Sequence, residues 1–205
     1  MKGRARIFGL AALVLGGCAE DLREEGPGAP DLGAPGTSGR VKVTTESSEV
    51  RRLEVDATAM AEWVYLRLDT GAQVAVADPQ SSREWDVAVR RYYVKVNGGI
   101  SGGCGSEVAV QKGADFAALL RAPTAGYFTD QADSGDDDTE ADYALSQSGG
   151  WYEYNPMTHL LSPRPQVYVL RSCTGGYVKL QMTGYYDAAG TSGFPSLRFA
   201  AVAAP

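Results

Sequence analysis

Apolar residues that recur at every second position constrain this chain more than any other feature. In Tyr177-Val-Lys-Leu-Gln-Met-Thr183, Val178, Leu180 and Met182 share one face, while Lys179, Gln181 and Thr183 share the other. That is the pattern of a half-solvated antiparallel strand. Residues 40–45 alternate in the same way. Trp63-Val-Tyr-Leu-Arg-Leu68 is aromatic and β-branched, and Asp69-Thr70-Gly71 turns it back toward Val74-Ala75-Val76, a hairpin with a loop longer than two residues. Residues 166–171 pair with the strand from Tyr177 through a Cys-Thr-Gly-Gly turn, and 151–154 and 197–202 complete the C-terminal third. The expected fold is all-β, an antiparallel sandwich or open barrel of about ten strands with one short helix. The helix is placed at 115–121, capped by Asp115 and stopped by Pro123.

Three segments break the pattern. Residues 85–96 look like the longest strand, but the apolar phase shifts from Trp85, Val87 and Val89 to Tyr92, Val94 and Val96. A shift at Arg90-Arg91 predicts a bulge, or a strand crossing between two sheets. Residues 97–105 hold five glycines, as a loop or chain of bulges. A phosphate cradle would need a helix directly afterwards and a Lys-Ser/Thr pair, whereas Glu107-Val-Ala-Val110 reads as a strand. From Thr129 the chain turns acidic, through Asp130, Asp133, Asp136, Asp137, Asp138, Glu140 and Asp142. The spacing lacks the order of a calcium loop, so a solvated loop is expected.

The first eighteen residues carry an address. Lys2, Arg4 and Arg6 precede an apolar run over residues 7–15, then Gly16, Gly17 and Cys18. The run has the length of a signal-peptide core and is too short to span a bilayer permanently. A basic head, an apolar core and small residues before a cysteine read as a bacterial lipoprotein signal, with Cys18 as the lipid-attachment site. Two or more acyl chains hold a protein stably on a membrane. Without residues 1–17 the chain has 16 basic and 25 acidic residues, a net charge of −9. That charge argues against nucleic acid as a partner and against adhesion to anionic lipid, so membrane attachment rests on the lipid alone. The expected division is a signal peptide over 1–17, a flexible acidic Gly/Pro linker over 18–39 and a domain over 40–205. Cys104 and Cys173 are then an even pair in an oxidising compartment. They read as a disulfide, or else as two buried thiols. Two cysteines and one histidine do not supply the usual zinc set.

No catalytic residues are expected. His159 is the only histidine, and no Gly-x-Ser-x-Gly elbow is present. Aromatic residues are more suggestive. They gather as Trp63/Tyr65, Tyr92/Tyr93, Trp151/Tyr152/Tyr154 and Tyr185/Tyr186. Such groups belong either to core and rim packing or to a flat apolar ligand site.

The ordered blocks resemble the HmuY-like lipoproteins. They are Trp63-Val-Tyr-Leu-Arg-Leu-Asp-Thr-Gly71; Trp85-Asp86 with Arg90; Asn97-Gly-Gly-x-Ser-Gly102; Trp151-Tyr-x-Tyr154; His159 with Pro163; Val167-Tyr-Val-Leu-Arg171; and Gly176-Tyr-Val-Lys-Leu180 with Tyr185-Tyr186. The resemblance implies an all-β protein anchored to the outer membrane, on a face the sequence leaves open. Its cofactor would be haem, taken from haemoproteins for iron acquisition and passed to a TonB-dependent outer-membrane receptor. Members that bind haem well hold the iron between two axial side chains, His or Met. Here the implied candidates are His159, Met157 and Met182, with Met60, a tyrosine or water as other second ligands. Met157 and His159 would point to the same side of a strand, and so could not easily bracket one iron. His159 can equally be a rim residue beside Pro163. Trp63, Trp85, Asp86 and the glycine runs read as fold-keeping. The other reading is a surface binding or adhesion lipoprotein of the same fold that does not take haem.

Overall fold

The alternating segment from Tyr177 lies in a ten-residue strand, one of the central strands of the largest of three sheets among the described residues. The computed structural model describes residues 36–135 and 140–205. Cys18, the apolar run before it and the linker up to residue 35 lie outside the described residues, as do Asp136, Asp137 and Asp138.

Fourteen strands are present among the described residues. The first half of the chain supplies β1 (Gly36–Ser38), β2 (Val41–Thr45), β3 (Arg51–Val55), β4 (Val64–Arg67), β5 (Ala72–Val74), β6 (Val87–Arg90) and β7 (Tyr93–Val96). The second half supplies β8 (Glu107–Lys112), β9 (Tyr127–Phe128), β10 (Tyr152–Asn155), β11 (Leu160–Pro163), β12 (Gln166–Arg171), β13 (Tyr177–Tyr186) and β14 (Ser192–Val202). The count exceeds the expected ten because strands of two to four residues, such as β1 and β9, are too short to show a period. Among the described residues, the first pairing is that of Gly36 with Val43.

The larger sheet has the order β1-β2-β3-β14-β13-β12-β8-β9, and the smaller has β5-β4-β6-β7. All their pairings are antiparallel. Val41, Leu53, Leu180 and Phe199 of the first sheet and Val64, Leu66, Val87 and Val96 of the second belong to one apolar cluster, each at most 1% exposed. The fold is therefore a sandwich and not a closed barrel. The β10–β11 hairpin stands as a separate two-stranded sheet.

Two expected elements differ from what forms. Residues 85–96 are not one bulged strand. Arg90 pairs with Tyr93, leaving Arg91 and Tyr92 as a two-residue turn between β6 and β7, with Arg91 at φ 52°. The phase shift was the turn itself, hidden because arginine and tyrosine fill positions where Gly or Asn is the usual signal. Residues 115–121 do not make a helix. Asp115 does cap the segment, accepting from the N–H groups of Ala117 (2.7 Å) and Ala118 (3.4 Å), but only one α-turn closes, from the N–H of Leu119 to the carbonyl of Asp115. Lys179 stops it, because its ammonium takes the carbonyls of Phe116 (2.7 Å) and Leu119 (2.9 Å). The supposedly solvated face of β13 is thus partly covered, and Lys179 is buried. The only helical segment among the described residues is a kinked 3₁₀ stretch, Ala144–Gly149.

Asp130 also departs from expectation. It is wholly buried and accepts from the N–H groups of Val96 (2.9 Å) and Ala144 (2.8 Å). The glycine loop folds against it: Gly99, at φ 60°, bridges to Asp130, and a Cβ at Gly99 would strike the Asp130 carbonyl. Cys104 and Cys173 form a disulfide between this loop and the β12–β13 turn. Beside it, buried Asp86 accepts from the N–H groups of Leu68 and Cys173, both at 2.8 Å.

Candidate functional site

Three of the four aromatic groups in the sequence converge. Tyr92, Tyr152, Tyr154, Tyr185 and Tyr186 line one cavity of about 670 Å³, together with Arg91, His159, Leu161, Gly190 and Ser192. That volume lies in the range of small-molecule and cofactor sites. The fourth group stands elsewhere: Trp63 and Tyr65, joined by Trp85, surround the Lys95 ammonium at 4.4, 5.2 and 5.5 Å from their ring centres.

Each wall has a local cause. The β6–β7 turn delivers Arg91 and Tyr92 together, and the Tyr92 carbonyl is fixed by the indole N–H of Trp151 at 2.9 Å. Tyr152 and Tyr154 are two apart on β10, so they share a face. Tyr185 and Tyr186 are adjacent and would normally face opposite ways. Register breaks between Met182 and Gly184, and between Gly184 and Tyr186, let both reach the cavity. The Tyr186 hydroxyl accepts from the N–H of Leu161 at 2.9 Å, which ties β11 to β13. Edge-to-face contacts join the rings, with Tyr92–Tyr152 at 5.6 Å and Tyr185–Tyr186 at 5.3 Å.

His159 sits at the end of the β10–β11 turn. Asn155 organises that turn, because its side-chain oxygen accepts from the N–H groups of Met157 (2.9 Å) and Thr158 (3.2 Å), and its carbonyl accepts from the N–H of His159 (2.8 Å). His159 therefore has φ 57°, and it is not on a strand with Met157. Its Nδ1 lies 2.6 Å from the Tyr154 hydroxyl. When Nδ1 carries the proton and donates to that oxygen, Nε2 presents a lone pair, as metal-binding imidazoles require.

The methionines are placed differently. Met157 is at the turn and 87% exposed. Met182 is 2% exposed in the main core and lines a separate concavity with Pro163, Gln181 and Arg198. Met60 is exposed and lines no part of the tyrosine cavity. The structure thus places His159 in the wall of the tyrosine cavity, whose lining includes none of Met60, Met157 and Met182.

A larger concavity of about 900 Å³ lies against the outer face of the larger sheet, at Phe116, Lys179 and Arg198. Its three cations are already engaged: Lys179 by two carbonyls, Arg51 by the carbonyls of Ser47 (3.3 Å) and Ser48 (3.4 Å), and Arg198 by Gln181 (2.7 Å) and Glu46 (3.2 Å). The tyrosine cavity differs in keeping unused polar groups. Tyr185 is 3% exposed, and its hydroxyl has no hydrogen-bond partner among the described residues. Burial raises the pKa of this phenol, so it stays neutral and able to donate. Arg91 was missed as a site residue, because the doublet Arg90-Arg91 looked like strand.

Residues 59–199, more than two thirds of the chain, match the family model described as HmuY protein. The chain belongs to the HmuY family. Solved structures agree on the fold. A candidate HmuY-like heme binding protein from Bacteroides vulgatus is 26% identical, with a TM-score of 0.55, covering 77% of this chain and 94% of that one. A candidate lipoprotein from Bacteroides fragilis is 22% identical, with a TM-score of 0.57 and the same coverage. The apo HmuY analog of Tannerella forsythia is 17% identical, with a TM-score of 0.55, covering 77% of this chain and 99% of that one. No curated protein matches the chain.

Proposed function

We propose that this HmuY-family chain binds haem in the tyrosine cavity, as a lipid-anchored protein of the bacterial outer membrane that serves iron acquisition. The observation that carries the reading is the convergence of five tyrosines and the single histidine on one cavity of about 670 Å³. A porphyrin is flat and apolar over its faces, which suits aromatic walls. Haem iron accepts an imidazole nitrogen as an axial ligand. His159 is the residue to supply it, with Tyr154 holding the ring. Met157, two residues earlier on the same turn, stays in the candidate set, while Met182 is left out by its burial. Its role is binding, not catalysis. Cys18 is the lipid-attachment site, haemoproteins are the source of haem, and a TonB-dependent receptor is the recipient.

A hemin titration of the purified full chain in detergent tests this. A Soret shift at micromolar hemin, weakened about tenfold or more in His159→Ala, supports it. Absence of any spectral change overturns it in favour of a non-haem binding or adhesion lipoprotein of the same fold.

A further inference from the structure

The tyrosine cavity holds one cation and no acid. No carboxylate lines it, although the chain as a whole is acidic. Arg91 has no acidic partner among the described residues; the other lining group it bonds is Ser192, whose hydroxyl lies 3.1 Å from its Nη2 and whose carbonyl lies 3.5 Å from its Nη1. Its guanidinium is 5.9 Å from the ring centre of Tyr185. That tyrosine bears the buried hydroxyl with no partner. A buried donor without an acceptor costs stability, roughly 1–3 kcal/mol, unless something else satisfies it. The guanidinium fork and the Ser192 O–H are donors that line the cavity, and the Tyr185 O–H, a donor too, has no acceptor among the described residues. The chemical group that uses all three is a carboxylate, with two oxygens and about four lone-pair sites.

We infer that Arg91, Tyr185 and Ser192 form a carboxylate-binding corner, and that the cavity takes a flat aromatic ligand by its acid group as well as by its rings. This rests on the proposed function for the ring system; the acid requirement comes from the corner alone. Arg91 is then the specificity-determining residue, while His159 answers only to a metal.

The test separates the two. Full chain in detergent is titrated with iron-free protoporphyrin IX and with its dimethyl ester, following quenching of the fluorescence of Trp151, which packs against Tyr152 and Tyr185 at 5.0 and 6.2 Å. The variants are Arg91→Asn, which removes the charge but keeps a residue that tolerates positive φ, Arg91→Lys, which restores the charge, and His159→Ala. The free acid should bind about tenfold or more tightly than the ester in the parent chain and in His159→Ala. That preference should vanish in Arg91→Asn and return in part in Arg91→Lys. Equal affinity for acid and ester in the parent chain overturns the inference, as does a preference that survives intact in Arg91→Asn. A Soret shift with hemin alongside equal acid and ester affinity leaves the haem reading standing and sinks the corner. An Arg91-dependent acid preference without a hemin spectrum does the reverse.

Discussion

Asp130 has no solvent exposure and holds β7 to the start of the 3₁₀ stretch through two backbone N–H groups. Burial raises its pKa from 3.8 to about 6, against the opposing pull of its hydrogen bonds and of the Lys95 charge. Between those values the folded chain holds a proton that the unfolded chain has lost. Stability is therefore higher at the acid end of this window and falls as pH rises from about 4 to about 6, then levels. A shift of this size corresponds to about 3 kcal/mol. Urea unfolding at pH 4.5, 5.5 and 7 should show this slope relative to Asp130→Asn, which cannot titrate. Parallel profiles for the two proteins would refute it. Asp130→Ala, which strips both backbone donors of their acceptor, should cost roughly 3 kcal/mol or more at pH 7. Tyr154→Phe removes only the hydroxyl at His159, and should weaken hemin binding about tenfold without moving Tm. At this scale the sequence was half legible. His159 stood out as the sole histidine and the tyrosines as groups, whereas Asp130 was lost in an acidic run whose composition reads as solvent-facing. Arg91 was lost because a non-glycine residue at positive φ leaves no sequence signature.

Elements follow from what their backbone groups meet. Residues 115–121 carry the local signs of a helix, yet tertiary contact wins: the Lys179 ammonium takes the Phe116 carbonyl, which the next turn would need, as well as that of Leu119, and it lies 4.7 Å from the Phe116 ring. Lys179→Met should free this segment, seen as faster amide exchange of the Leu119 N–H with the two sheets unaffected. Loss of protection throughout the sheets would mean that Lys179 supports the whole core instead. The disulfide is the counterpart on the opposite side of the fold argument, because chemistry and cysteine count alone made it legible. It spans 69 residues and ties the glycine loop to the β12–β13 turn. Loop-closure entropy gives it roughly 4 kcal/mol as an upper figure. Cys104→Ser with Cys173→Ser should lower unfolding free energy by about 2–4 kcal/mol. Hemin affinity should not change, since neither cysteine lines the tyrosine cavity.

At the scale of the whole molecule, an all-β sandwich was readable from period-two alternation, and family membership from the order of short blocks between Trp63 and Phe199, nearly the span of the 59–199 match. Which blocks form a wall was not readable, because the cavity joins turns and strands far apart in sequence: Arg91, His159 and Ser192 meet only after folding. The proposed anchor has its own test at this scale. Expressed in a Gram-negative host, the full chain should fractionate with membranes and Cys18→Ser with the soluble material. Retention of the variant on membranes would refute attachment through that thiol.

The position of β14 has a consequence for how such a chain is made. It lies between β3 and β13, so the last strand in sequence joins the two halves of the eight-stranded sheet. Ser196 meets Glu54 and Phe199 meets Arg51, partners separated by most of the domain. A chain emerging N-terminus first cannot close this sheet while β14 is still being synthesised, and β3 and β13 wait with open edges. Such non-local closure makes for slow folding, on the millisecond-to-second scale.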